Sequence, residues 1–111
     1  MPNVKIFADE RVMTSHGGVL RTALPGLRDL LCADLNVGAE ACQLALLPVT
    51  GLDDQPAVNV ELLILPRPER NGDAIRSVAG KVRDMLTMAS GGARTAVRIS
   101  MLDPETYVAL K

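Results

Sequence analysis

The sequence predicts an α+β fold: a duplicated βαβ unit (βαββαβ) forming a four-stranded mixed sheet with two helices on one face. Two observations carry this reading. Segments of alternating apolar and polar residues flank segments whose apolar residues recur every three or four positions. The pattern then repeats, with Val4 mapping to Val60, Leu20 to Ile75 and Gln43 to Ala96 at offsets of 56, 55 and 53 residues, which marks an internal duplication. A helical crossover within each half favours parallel, right-handed strand pairing. The 111 residues are therefore read as a single domain, 1–111, made of two βαβ repeats over about 1–50 and 57–111.

The first strand follows from Val4, Ile6 and Ala8 alternating with Asn3, Lys5 and Phe7, and it ends at the charged group Asp9-Glu10-Arg11. Leu20, Leu24, Leu27, Leu31 and Leu35 then place five leucines on one stripe of a helix. Pro25 is tolerated in a first turn, so Thr22 is the expected N-cap; a start near Thr14 would force a kink. Gly38 is the expected C-terminal cap. Cys42 to Val49 reads as a strand with both faces covered, and 50–56 as a polar link.

In the second half, Val58, Val60, Leu62 and Ile64 alternate with Asn59 and Glu61 as a strand that stops before Pro66 and Pro68. Ile75, Val78, Val82, Met85 and Ala89 mark an amphipathic helix between Asn71-Gly72-Asp73 and Gly91-Gly92. Thr95, Val97, Ile99 and Met101 form the fourth strand. Leu44, Leu46, Leu63 and Leu65 make the strands apolar on both sides. An exposed leucine forgoes about 1.5–3 kcal/mol, so the uncovered sheet face is expected to seek a partner and the protein to be an obligate oligomer.

Composition removes several functions. A net charge of −1 lacks the field that a polyanion requires, and Phe7 and Tyr107 are the only aromatic residues, so nucleic acid is not an expected partner. The opening stretch carries Lys5, Asp9, Glu10 and Arg11 where a signal peptide is apolar, and no long apolar run follows, so the expectation is a soluble, cytoplasmic protein with no membrane partner. Cys32 and Cys42 lack zinc or redox-motif spacing and are read as reduced, half-buried small hydrophobes. His16, the sole histidine, sits beside Gly17 and Gly18 and is read as a loop residue; neither a histidine-based metal site nor a Ser-His-Asp triad is expected.

Met1-Pro2 leading straight into the first strand, Leu24-Pro25-Gly26-Leu27 in the first helix, and Arg76 followed by Ala79-Gly80 in the second, all within the duplicated βαβ, resemble the tautomerase superfamily, and within it the 5-carboxymethyl-2-hydroxymuconate isomerase family. The resemblance implies a homotrimer whose three sheets enclose a barrel, covering the second sheet face. It implies a cofactor-independent isomerase, with no metal, that moves a proton in a small unsaturated 2-hydroxy or 2-oxo acid during the breakdown of aromatic compounds. Removal of Met1 would leave Pro2 as a free secondary amine acting as general base. Such an amine is more basic than an ordinary α-amino group, at about 7.7–8.0, so burial or nearby cations must bring it toward neutrality.

Val58 stands opposite Pro2 in the overlay, so one site per protomer is expected. The resemblance also implies that arginines just past the first strand of each half hold substrate carboxylates, since the guanidinium fork matches a carboxylate. Those are Arg11, Arg67 and Arg70; beside Glu10 and Glu69 the same residues would otherwise be solvated surface charges. Lys5 and Arg98 are expected to pair with Glu61 or another acid. The family carries an arginine around its second strand, whereas residues 39–43 here have none. Two other readings stand beside the enzyme: a catalytically silent trimer of the same fold, and a ferredoxin-like small-molecule-binding module.

Overall fold

The computed structural model describes residues 2–111; Met1, and with it the expected removal of that residue, lies outside the described residues. The elements are β1 (Asn3–Asp9), α1 (Glu10–Leu35), a 3-10 turn (Ala39–Ala41), β2 (Gln43–Val49), β3 (Val58–Ile64), α2 (Gly72–Ala89) and β4 (Thr95–Met101). They build one sheet in the order β2-β1-β3-β4. β1 runs parallel to β2 and β3 to β4, while β1 and β3 are antiparallel neighbours. Each helix therefore connects two adjacent strands. A split βαβ would insert another strand between them, so the ferredoxin-like alternative is set aside.

The core lies between the sheet and the helices. Val4, Ile6 and Ala8 of β1 and Val58, Val60, Leu62 and Ile64 of β3 are completely covered, packed under Leu20, Leu27 and Leu31 of α1 and Val82 and Leu86 of α2. Period two in the strands and period 3.6 in the helices deliver these residues to one layer. Lys81 Nζ bonds Asp34 Oδ2 at 2.9 Å and ties the two helices together at the surface.

α1 departs from expectation. It starts at Glu10, not near Thr22, and runs through His16, Gly17, Gly18 and Pro25. Its N-cap is Asp9, whose Oδ1 accepts from the Arg11 backbone N–H at 3.0 Å and from Arg11 Nε at 2.9 Å. Thr14 and Thr22 hydroxyls donate back to the carbonyls of Glu10 and Gly18, so Thr22 is a helix-interior residue. An interior proline costs about 3 kcal/mol and a glycine about 1 kcal/mol, whereas each buried leucine returns about 1.5–3 kcal/mol. The leucine stripe outweighs the breakers. The helix ends at Asn36, which takes the left-handed conformation at φ 54°, and the Val37 N–H reaches back to Cys32 O at 3.1 Å, so Asn36 replaces Gly38 as the terminator.

α2 matches its expected bounds, with Asn71 Oδ1 accepting from Ala74 N at 3.0 Å as the N-cap. It is eight residues shorter than α1, whose 26 residues compare with 18, because Pro66 and Pro68 occupy the place of the first turns of α1. His16 is a helix residue, not a loop residue. Its imidazole lies over Gly91, where φ is +73° and a Cβ would run into the ring.

The uncovered sheet face is mixed, which corrects the expectation of two apolar sides. Leu44 and Leu46 pack on the helix side, and Leu65 lies beyond β3. The register puts Ala45, Lys5, Glu61 and Arg98 in one row across the open face, flanked by Phe7, Leu47 and Leu63. β2 is an edge strand with Gln43, Ala45 and Pro48 exposed, so its two faces are not both covered within the protomer. Arg98 Nη1 donates to Asn59 Oδ1 and not to Glu61.

Two outcomes follow from the capping and packing of α1. Gly91→Ala is expected to lower unfolding stability by about 1–3 kcal/mol in urea titrations, from the forced left-handed backbone and the imidazole above it. Arg11 holds the Asp9 carboxyl down from its ordinary 3.8 to about 2. A depressed carboxylate contributes stability above its unfolded value, so the advantage of the wild type over Asp9→Asn should be complete above that value and vanish as pH falls through about 2. Acid unfolding curves of the two proteins measure it.

Candidate functional site

Pro2 sits at the head of β1, fully buried, and its carbonyl accepts from Gln43 N at 2.9 Å. That bond continues the parallel ladder by one rung and holds Pro2 beside the start of β2. Pro2 also lines a cleft of about 390 Å³. Asn3 and Gln43 form one side, Glu40 and Ala41 of the 3-10 turn a second, and Tyr107, Leu110 and Lys111 of the C-terminal segment a third. The tail leaves β4 at Leu102, whose N–H bonds Ile64 O at 2.8 Å, and turns at Asp103, whose carbonyl accepts from Tyr107 N at 2.9 Å. Because β4 ends at the Pro2 end of the sheet, this turn brings the last residues onto the proline.

The three arginines singled out from the sequence go to different places. Arg67 and Arg70 follow β3, which runs antiparallel to β1, so both lie at the Pro2 end of the sheet. Arg67 is exposed, and its Nη1 donates to Asn36 O at 3.1 Å. Arg70 is 7% exposed, and its two terminal nitrogens donate to Leu65 O at 2.6 Å and Leu35 O at 2.9 Å. It thereby braces the loop after β3 against the last turn of α1, satisfying a carbonyl that the helix leaves open. Burial pulls its pKa below the ordinary value, and Arg67 adds to that; Nε is buried without a partner among the described residues. Arg11 lies past the other end of β1, a seven-residue strand away, or roughly 20 Å from Pro2 at about 3.3 Å per residue. Its guanidinium is held by Asp9 and, at 2.8 Å, by Asp53.

Glu40 and Lys111 are the charged groups lining the cleft, and the sequence reading did not find them. No period marks residues 102–111, so nothing in the sequence shows that this segment returns to Pro2. A second cleft, of about 590 Å³, opens between α2 and β4 and carries Arg76, Arg83 and Arg98. The repeat offset of 55 was its signal, since it carries Arg21 onto Arg76 and Arg28 onto Arg83. Among the described residues no cluster of three His, Cys, Asp or Glu side chains fits a metal ion, and no helix is long and apolar enough to cross a membrane.

A mixed sheet of two parallel pairs joined antiparallel at its centre, covered on one face by the two crossover helices and carrying a buried proline at the head of β1, is the tautomerase fold. Solved structures agree. The chain superposes on a 5-carboxymethyl-2-hydroxymuconate isomerase from Deinococcus radiodurans R1 with a TM-score of 0.76 at 12% identity, covering 98% of this chain and 88% of that one. A macrophage migration inhibitory factor-like protein from Entamoeba histolytica gives 0.73 at 7% identity, covering 97% and 94%. A fused 4-OT described as an asymmetric trimer gives 0.70 at 12% identity, covering 96% and 91%. No family model and no curated protein sequence matches the chain.

The two arginines after β3 are separable by experiment. Arg70→Ala strips two backbone carbonyls of a charged donor and is expected to cost about 2–3 kcal/mol of unfolding stability. Arg67→Ala, at an exposed position, should change stability by less than about 0.5 kcal/mol. Urea midpoints measured side by side check both.

Proposed function

We propose that the protein is a cofactor-independent isomerase of the tautomerase kind, a homotrimer in which Pro2, freed of Met1, is the general base. Its substrate class is a small unsaturated 2-hydroxy or 2-oxo acid, in which a proton is taken from one carbon and returned to another. The observation that carries this reading is the burial of Pro2 at the floor of a cleft, in a fold shared with a muconate isomerase and with 4-OT. An amine out of water disfavours its protonated form, which is the condition for a base that works near neutral pH.

The remaining roles follow from placement. Arg67 is the exposed guanidinium at the Pro2 end, suited to gripping a substrate carboxylate and to stabilising enolate charge. Arg70 keeps the loop carrying Arg67 in position through its bonds to the Leu65 and Leu35 carbonyls, and any grip on a substrate carboxylate falls to the N–H donors those two bonds leave over. Arg11 is too far from the Pro2 of its own chain and meets a substrate only at the Pro2 of a neighbouring subunit. The apolar Phe7, Leu47 and Leu63 on the open face support the trimer, since closing three sheets into a barrel would cover them.

The test is ketonisation of a 2-hydroxydienoate by untagged protein. Pro2→Ala is expected to lower kcat/KM by roughly 10²–10⁴-fold with the fold intact; unchanged activity rejects Pro2 as the base. Sedimentation should give about three times the 11.8 kDa chain mass. Mass spectrometry of protein from its natural source should find a chain beginning at Pro2, while retained Met1 would favour the silent trimer.

A further inference from the structure

Cys32 and Cys42 belong to different elements, yet their sulfurs are in hydrogen-bonding contact at 3.5 Å. Cys32 lies in the last turns of α1, and Cys42 immediately precedes β2. Both are free and half-buried. The chain between them turns out of α1 at Asn36 and passes through the 3-10 turn, and that reversal brings the thiols face to face. Their spacing of ten residues has no motif value; the contact is created by the fold.

Cys42 also lines a groove of about 340 Å³ between α1 and β2, together with Leu24, Pro25, Arg28, Gln43 and Leu44. Cys42 is thus reachable by a small molecule, and Arg28 places a positive charge in the same groove. We propose that Cys32 and Cys42 form a modification site, a dithiol converted to an intramolecular disulfide by a small disulfide that carries carboxylates.

The step balances as thiol–disulfide exchange. One cysteine loses its proton and attacks a sulfur of the incoming disulfide, giving a protein mixed disulfide and one small thiol. The second cysteine, already in contact, attacks the protein sulfur of that intermediate and expels the other small thiol. Two S–H bonds become one S–S bond, and the reagent is reduced to two thiols. Burial, with the hydrogen bond to Cys32, pushes the Cys42 thiol up to about 11, which slows its first attack on any disulfide. Contact between the two sulfurs favours immediate closure over a lasting mixed disulfide. The closed ring spans Asn36, whose carbonyl holds Arg67, and Glu40, which lines the Pro2 cleft.

The full reduced chain is treated with glutathione disulfide and followed by intact mass and by thiol titration after unfolding. The expected result is loss of both thiols with a mass lower by about 2 Da, the two hydrogens given up, reversed by a dithiol reductant. Cys32→Ser and Cys42→Ser should each stop at a mixed disulfide or keep their remaining thiol. Arg28→Gln should slow the reaction several-fold with glutathione disulfide and leave it unchanged with the uncharged disulfide of mercaptoethanol. Both thiols remaining titratable in the wild type, or a stable glutathione adduct on it, under conditions that oxidise the unfolded chain, overturns the proposal.

Discussion

The antiparallel pairing of β1 with β3 governs the molecule. Val4 against Leu62, Ile6 against Val60 and Ala8 against Val58 form the central rungs, and the first residue of each pair meets its partner at complete burial. This seam joins the two repeats, and both helices rest on it. Its direction decides what can meet what. The start of β1 and the end of β3 fall at one edge of the domain, so Pro2, the loop carrying Arg67 and Arg70, and the segment after β4 gather there. The end of β1 points away, and Arg11 goes with it.

The strands and α2 were legible because their signals are local and mutually consistent: alternation, an Asn-Gly-Asp entry and a Gly-Gly exit. α1 was half legible. Its leucine stripe was visible, but Gly17, Gly18 and Pro25 each argue locally for a break, and what overrides them is burial against a sheet not yet assembled when one reads along the chain. The cap at Asp9 was hidden for a similar reason, since Asp9-Glu10-Arg11 reads as a polar strand ending. The character of the open face is not legible without a register: Leu44, Leu46, Leu63 and Leu65 make the strands apolar on both sides, and only the pairing with Val4 and Ile6 sends Leu44 and Leu46 to the helix side.

Of the candidate site, the place of Pro2 at the head of β1 is legible in the sequence, while a role for it comes only through the family resemblance. The arginines were legible as residues and not as roles. Arg70 looks like Arg67 in the sequence, and the two diverge only when Leu35 and Leu65 bring their carbonyls to the same point. Of the charged groups that line the cleft beside Pro2, Lys111 depends on the path of a tail with no periodicity to announce it, and Glu40 on a 3-10 turn too short to carry a period. The repeat offset was the most productive sequence signal. It gave the topology and pointed, unread, to the paired arginines at the two sheet edges.

The tail that walls the cleft has a practical corollary. Tyr107, Leu110 and Lys111 stand against Pro2, so both termini of the described chain open onto the same cavity. A purification handle fused to either one would project into its mouth, and an assay on such material would report the handle as much as the protein. The polar connection around Asp54, exposed at the opposite edge of the sheet, is clear of that cavity, and an affinity sequence placed there has only to spare the ion pair between Asp53 and Arg11.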